Sequence, residues 1–598
     1  MKETAEEWLK PLYVHHGKDR TKRKKDREEL FLQADPELEG LLPAKEEADA
    51  LVAAYIDQFE QLHRIVHVPS FRREYERFWD PSTPRQAAFS ALLLTLMSIS
   101  NCLVAQSTGK LVGLVSRSHH MAEKWIAASD EWLSRQSKKH RRLIHYQIGC
   151  MLYLAKRAST VKKKRFWTGA GALIQDAISV GLHRDPGHRP DRISVYNQEM
   201  RRRLWAAMQE FDMQASFDYG LPTLLGSLHY DVERPANLDD DEFDEDSVEL
   251  PPSRPQSEYT SASFQHLSRQ SMPLRLRLSR LLNGPLDELD YDQVIRYTND
   301  ITQEIDALPS WDVGAGAASD AKKQPLLAYT LLHLQLRQYI IPLHQPFLKL
   351  RKSNSRFQYS ETVYYNAARD MVLLHDKLSE QGIRALNYLR EDALTLAINL
   401  CNVTMLQPRG TPRTALAPPS VRLLLLTKGS AGSTNLIMVN AEHTVALVEK
   451  CLALKEDRIM RCGNNEPWGY SIMCAAFSLL EAHLGRQSSE AAKARSAERF
   501  INIHYKLLAG QDPPSSNQGQ QWGKTALFEA LDRSKVSIAQ PVRLLVNSSR
   551  SRNADGDGQV GDPFPLGVPV LGTRVGPFCR SSSHALVAYA CGSYCAFW

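Results

Sequence analysis

The sequence predicts an all-α fold, a multi-helix bundle or array, on three observations. Apolar residues return at three- and four-residue steps through most of the stretch from about 46 to 510. No segment of comparable length alternates apolar and polar residues as a half-buried strand does. Glycine or proline closes several of the periodic runs, as at Gly181 and Pro309. A disordered basic N-terminal arm and an irregular C-terminal tail are expected to flank this helical part.

In chain order, Leu51 to Phe59 and Tyr75 to Trp79 read as helices bracketing a turn at His67-Val68-Pro69-Ser70-Phe71. The apolar run from Phe89 to Ala105 is broken by Thr95, Ser98, Ser100 and Asn101. It is too short and too polar for a membrane span and reads as a buried helix. Ile144, Ile148, Met151, Leu152 and Ala155 form a further stripe. After Phe166, the residues Ala170, Leu173, Ile174, Ala177 and Ile178 recur at helical spacing. Gly169 and Gly171 cost helix propensity there, which predicts close approach of a neighbouring helix. Gly181 stands where a helix end wants positive φ, and Pro186 prevents continuation. The next helix aligns Leu204, Met208, Phe211 and Ala215, with Glu199 placed to pair with Arg203 one turn later. Tyr297, Ile301, Ile305 and Leu308 make another stripe, closed by Pro309. Leu326 to Leu343 is apolar nearly all round and predicts a central helix ended by Pro346. No repeat of fixed period is present.

Composition narrows the function classes. The chain has 598 residues, 43% hydrophobic and 24% charged, the balance of an ordinary globular protein. A net charge of +6 is small for that length, so the chain as a whole is not an electrostatic sleeve for nucleic acid. The N-terminus opens on charged residues without an apolar secretory core, which predicts a cytosolic or nuclear site and no membrane partner. Cys102, Cys150, Cys401, Cys451, Cys462 and Cys474 are scattered and read as buried thiols in a reducing compartment. Cys579, His584, Cys591 and Cys595 cluster near the end, but their spacing matches no zinc module.

Several motifs stand in a fixed order. Phe166-Trp167-Thr168-Gly169-Ala170-Gly171-Ala172 leads into Gly181-Leu182-His183-Arg184-Asp185-Pro186. Glu199-Met200-Arg201-Arg202-Arg203-Leu204-Trp205 follows, then Asp212 and Gly220-Leu221-Pro222. His67-Val68-Pro69-Ser70-Phe71 lies upstream and Leu343-His344-Gln345-Pro346-Phe347 downstream. Together they resemble the middle homology region of fungal zinc-cluster transcription factors. The resemblance implies an all-helical regulatory domain, a nuclear protein and control of a metabolic or secondary-metabolite gene set. It also implies DNA as partner, with a homodimer and a small-molecule effector as further partners the family allows. Its domain division is a basic arm at 1–45, the middle region at 46–400, a loop or insertion at 401–435, further helices at 436–510, and a linker and tail at 511–598. Full-length relatives carry zinc in an N-terminal cysteine module. The first cysteine here is Cys102, so that module, and zinc with it, is not expected in this sequence, and direct DNA contact by this chain is in question.

The roles of the charged runs stay open at this level. Arg201, Arg202 and Arg203 suit either phosphate or a solvated helix face with ion pairs, and the second reading is favoured. His183 reads as a capping or packed histidine. Lys18, Arg20, Lys22, Arg23, Lys24, Lys25 and Arg27 form a dense basic run, suited to nuclear import or phosphate contact. Lys162-Lys163-Lys164-Arg165 reads as a solvated helix end. Asp239, Asp240, Asp241, Glu242, Asp244, Glu245, Asp246 and Glu249 crowd Leu238 to Leu250, which reads as a solvated loop before an activation segment. Gln407 to Ser433 is rich in Pro, Gly and Ser and reads as a long loop. Beyond Asp562 there is no Asp, Glu or Lys, the composition of a retained intron, a shifted frame or a disordered terminus.

Enzyme signatures fail individually. Gly519-Gln520-Gln521-Trp522-Gly523-Lys524-Thr525 ends like a phosphate loop, but its first glycine is misplaced and Pro513-Pro514 precedes it where a strand is required. Asn553, Asp555, Asp557 and Gly558 begin like a calcium loop, yet Phe564 occupies the place of its bidentate Glu. The sequence therefore predicts no enzyme, no catalytic residue and no metal ligand. A regulator of DNA-templated transcription is the first reading. A DNA-independent co-regulator or dimer-forming inhibitor is the second, and an enzyme with an interhelical pocket the third.

Overall fold

The computed structural model describes residues 33–509, together with 21–22 and 25. Excepted are 105–110, 113–114, 138–140, 162–164, 189–191, 285–288, 312–322, 351–353, 408–439 and 464–466. The long loop from Gln407, the Lys162 run up to Lys164, the C-terminal cysteine cluster and the tail therefore fall outside or almost outside the described residues.

The first helices are α1 (Lys45–Tyr55), α2 (Val68–Phe78), α3 (Ala87–Ser100), α4 (Arg117–Arg135), α5 (Leu143–Ala158), α6 (Phe166–Ser179) and α7 (Val195–Tyr219). Next come α8 (Ser263–Leu282), α9 (Tyr291–Asp306), α10 (Lys323–Arg337), α11 (Ile340–Leu348), α12 (Gln358–Glu380) and α13 (Asp392–Met405). The last are α14 (Ala441–Cys462), α15 (Pro467–His483) and α16 (Ser489–Ala509). Among the described residues the only strands are Leu111–Val112 and Val115–Ser116, an antiparallel pair in register Leu111↔Ser116. The all-α expectation holds.

Helices adjacent in sequence pack as neighbours around one continuous apolar core that runs from Leu38 to Leu507. Every residue of α3 is buried, because α1, α4 and α5 cover it from different sides. This is the fully covered apolar helix expected from Phe89 onward. α7 packs on α5, α6 and α8, and α12 and α13 then connect to α14 and α15.

The end of α6 follows directly from Gly181. The Leu182 amide donates to the Ala177 carbonyl at 2.9 Å and the Gly181 amide to that of Ile178 at 3.0 Å. Gly181 sits at φ +76°, the left-handed conformation this double bond requires.

Three expectations need correction. His67-Val68-Pro69-Ser70-Phe71 is not a turn between helices but the start of α2, with His67 as N-cap and Pro69 in the first turn. A proline there loses no bond, since first-turn amides have no intrahelical acceptor. The predicted helix through Leu343 instead breaks after Arg337 and restarts at Ile340, with Pro346 inside α11. Pro342 cannot donate to the Gln338 carbonyl, so the ladder is interrupted upstream of Pro346. Gly169 and Gly171 do not seat a neighbouring helix backbone. A Cβ on Gly171 would approach Leu224 Cδ1, in a 3-10 turn, to 3.2 Å, while one on Gly169 would meet Tyr153 at an ordinary 3.8 Å.

Candidate functional site, a buried charge cluster

Side chains one residue apart on a helix point about 100° apart, and α7 uses this to send its three arginines to different surroundings. Arg203 points inward and is fully buried beside Glu199, its Nε donating to Glu199 Oε1 at 3.0 Å. Its Nη1 donates to Asp240 Oδ1 at 2.6 Å, and its guanidinium lies 5.0 Å from the Phe243 ring centre. Arg202 makes two bonds to Asp185, at 2.9 and 2.7 Å, which tie α7 to the turn after Gly181. Asp185 also accepts from the amides of Gly187 and Glu233. Arg201 is half-buried. The favoured solvated-face reading is thus overturned for Arg202 and Arg203. Their charges are neutralised inside the fold and are not presented to phosphate.

Asp240 is the hinge pin of the cluster. It sits in the short 3-10 turn Asp240–Glu242, within the acidic run expected to be solvated. Asp241, Asp244, Glu245, Asp246 and Glu249 are indeed exposed, but Asp240 is buried, and so are Leu238 and Phe243. Its Oδ2 accepts the Val68 amide at 2.7 Å and pairs with Arg64, while its carbonyl accepts from His67 Nε2 at 2.7 Å. Burial alone would raise this carboxyl, but Arg64, Arg203 and the Val68 amide outweigh it and hold it well below the usual carboxylate range. His67 Nδ1 faces the Ser70 amide and hydroxyl, so the ring is neutral with its proton on Nε2. Burial, its main cause, lowers the His67 pKa in accord.

Glu60 and Arg64 complete the arrangement. A single π-helical segment, Ile56–Glu60, follows α1 and turns Glu60 into the interior. Arg64 takes a left-handed conformation, φ +42°, to end the short helix Gln61–His63 and reach Asp240. Tyr55 OH donates to Glu60 Oε2 at 2.6 Å and the Val66 amide to Oε1 at 2.8 Å. Arg64 and Arg203 balance Asp240 and Glu199, so Glu60 is the carboxyl in excess. Burial pushes it up to about 7.

The other motif residues hold neighbouring joints. Asp212 accepts from Thr223 Oγ1 and from the Leu224 amide at 3.0 Å, fixing the turn after Gly220 and Pro222. Gly220 ends α7 at φ +59°, and Trp167 Nε1 donates to the Pro222 carbonyl at 3.0 Å. Leu204 and Trp205 are buried, with Trp205 between the rings of His183 and Tyr230. His183 is packed rather than liganding, its pKa lowered mainly by burial. Arg184 pairs with Asp231 at the surface. Phe71 stacks on Phe89. His344 is fully buried between Thr298 of α9 and Ser360 of α12, at 2.8 and 2.9 Å, and Phe347 packs on Tyr291. The structure brings together His67, Glu199 and Arg203, and leaves the Arg202 and His344 joints apart from them. Of the basic run only Lys22 and Lys25 are described, both exposed; Lys18, Arg20, Arg23, Lys24 and Arg27 lie outside the described residues.

Chemically, the cluster is solid. Its acids and histidine are spent on internal partners, whereas a surface groove of about 310 Å³ lies elsewhere, between Gln270, Leu274 and Arg277 of α8 and Asp300, Gln303 and Glu304 of α9. Among the described residues no group of His, Cys, Asp and Glu is arranged to hold a metal ion, and the six described cysteines are free and buried. These residues do not fit a zinc cluster. No helix among the described residues is long and apolar enough to cross a membrane.

Residues 52–334 match the family model described as the fungal specific transcription factor domain. The chain carries this domain. The buried cluster lies wholly within the matched residues, and the His344 joint lies beyond their end. Transcription factor opdR of Penicillium oxalicum is 27% identical over 81% of this chain and 61% of its own length. Transcription factor lepE of Aspergillus flavus is 29% identical over 56% of this chain and 40% of its own. Equisetin cluster transcription factor eqxF of Fusarium heterosporum is 29% identical over 40% of this chain and 35% of its own. The chain thus spans less than two thirds of the length of these relatives, which are named as transcription factors and not as enzymes. No solved structure matches the chain.

Proposed function

We propose that the chain regulates DNA-templated transcription in the nucleus, within a metabolic or secondary-metabolite gene set. The observation that carries this reading is the domain match over 52–334, within which three motif residues, His67, Glu199 and Arg203, meet in a buried charge cluster. In this reading the helical array at 46–400, extended by the helices at 436–510, is a rigid control unit. It positions surfaces for a partner copy or responds to a small effector. The basic run at Lys18–Arg27 serves nuclear import and supplies non-specific phosphate contact. DNA is the partner, with base reading supplied by a zinc-cluster module of the kind family members carry.

The test is a mobility-shift titration of the purified chain on random duplexes at two salt concentrations. It is paired with a reporter assay of the chain fused to a heterologous DNA-binding domain. Reporter output that changes with the fusion, and binding that is sequence-blind and steeply salt-sensitive, support the reading. A silent reporter, together with retention on a DNA column only when a full-length relative is present, would replace it with a co-regulator or dimer-forming inhibitor. Turnover of any substrate by the isolated chain would sink both.

A further inference from the structure

The groove between α8 and α9 is lined by charge that the fold leaves unused. Gln270, Leu274 and Arg277 share one face of α8, and Asp300 and Glu304 stand one turn apart on α9. α10 packs against both helices, so the two walls are tied to a common support. Trp311, just past α9, donates through Nε1 to the Gln256 carbonyl at 3.0 Å, and Gln256 Nε2 donates to Gln270 Oε1 at 2.9 Å. These bonds bring the end of α9 to the Gln270 end of the groove. The helices therefore run antiparallel, with Asp300 on the Arg277 side and Glu304 nearer Gln270.

Arg277 is exposed, and Asp300 and Glu304 are half-buried. Among the described residues none of these three side chains has an ion-pair or hydrogen-bond partner. Arg275, two residues earlier on α8, shows the contrast, with two bonds to Glu210 at 2.8 and 2.7 Å. The groove thus keeps the Arg277 guanidinium and the two carboxylates beyond ion-pair distance of each other. Two carboxylates against one guanidinium leave its lining with one excess negative charge. Between Gln270 and Arg277, Leu274 supplies an apolar surface. At about 310 Å³ the space lies at the small end of ligand sites, room for a compact polar molecule. An unpaired cation on one wall and unpaired anions on the other select a ligand that carries both signs.

We propose that this groove is a binding site for a basic α-amino acid, a molecule with one carboxylate and two cationic groups. The ligand carboxylate meets the Arg277 guanidinium, whose planar fork suits it. The α-ammonium meets Asp300. The alkyl stem lies along Leu274, and the terminal ammonium or guanidinium meets Glu304, about 5.4 Å further along α9. The single excess positive charge of the ligand then matches the single excess negative charge of the lining. A neutral amino acid leaves Glu304 unmet, and a diamine leaves Arg277 unmet, so both ends define the class. This inference rests on the transcription reading only in making the ligand an effector, because binding itself is independent of DNA.

The purified full chain is titrated calorimetrically with L-lysine and L-arginine, and with norleucine and cadaverine, which lack the terminal cation and the carboxylate respectively. One-to-one binding of lysine or arginine is expected, about tenfold tighter than either of the other two and weakened by salt. Arg277→Gln should weaken lysine about tenfold and leave cadaverine unchanged. Glu304→Gln should weaken lysine and cadaverine alike and leave norleucine unchanged. If either variant fails to fold, the comparison of the four ligands on the parent chain decides alone. No heat from lysine or arginine at low salt, norleucine bound as tightly as lysine, or affinities that neither substitution changes would overturn the site. Binding that leaves a reporter driven by the heterologous fusion unmoved supports the site and removes only the effector role.

Discussion

Arg203 Nη1 lies 2.6 Å from Asp240 Oδ1 with both side chains out of solvent, although α7 supplies one and an acidic loop the other. The bond is a joint between segments that local structure would not bring together. Removing one partner strands the other charge, along with Glu199, in a medium that cannot solvate it. Arg203→Met should cost about 3–5 kcal/mol in urea denaturation followed by circular dichroism. A loss below about 1 kcal/mol, typical of an exposed pair, would show that the cluster is wetter than its geometry indicates.

Glu60 makes stability depend on pH in a particular direction. Its folded pKa of about 7 lies above the ordinary 4.5, so between those values the folded state holds a proton that the unfolded state has released. Stability from this residue is therefore fully present below pH 4.5 and lost as pH rises through 7. Each pKa unit is worth about 1.4 kcal/mol, so the loss is about 3 kcal/mol. Glu60→Gln, whose carbonyl oxygen can still accept from the Val66 amide and whose NH2 can donate to the Tyr55 hydroxyl, should stabilise the chain at pH 8 and make little difference near pH 4. The check is chemical denaturation of both proteins across that range, and equal curves at pH 8 would refute it.

His344 acts with the opposite sign. The Thr298 hydroxyl already donates to the Val294 carbonyl, so His344 Nε2 donates to it. Burial lowers its pKa from 6.5 to about 4. Here the unfolded state binds the extra proton, and stability falls as pH drops from 6.5 toward 4, by about 3 kcal/mol. His344→Asn should be less stable than the parent at pH 7 but should lose less on acidification. Parallel slopes for the two proteins between pH 7 and 5 would count against a buried neutral imidazole.

These joints show what was legible in the residues and what was not. α7 was readable because Leu204, Met208, Phe211 and Ala215 share one stripe, and Glu199 and Arg203 share the next turn. Gly181 was readable because only a left-handed residue closes that helix end. Asp240 was hidden, since nothing local separates it from seven neighbouring acids. Only the arrival of Arg64, Arg203 and the Val68 amide selects it. Glu60 and Arg64 had the four-residue spacing of an ion pair just before the His67 motif, a signal that periodicity of apolar residues alone passes over. The break before α11 was misplaced for a related reason. Pro346 drew attention by its motif, while Pro342 removed the donor that mattered.

The same separation of structural from exposed charge gives a test on DNA. Arg202 is committed to Asp185 by two short bonds and is largely covered, whereas Lys22 and Lys25 are exposed. Arg202→Gln should lower stability by about 1.5–3 kcal/mol, the range for bonds to charged groups. It should leave the slope of log binding constant against log salt on random duplexes unchanged. Replacing Lys22 and Lys25 with alanine should leave stability alone and flatten that slope by about 0.9 for each phosphate no longer neutralised. The two effects are separable because the Arg202 charge is paired and largely covered within the fold, while the two lysines stand exposed at the surface. A slope that moves with Arg202 and not with the lysines would return the α7 arginines to the phosphate role that their burial denies them.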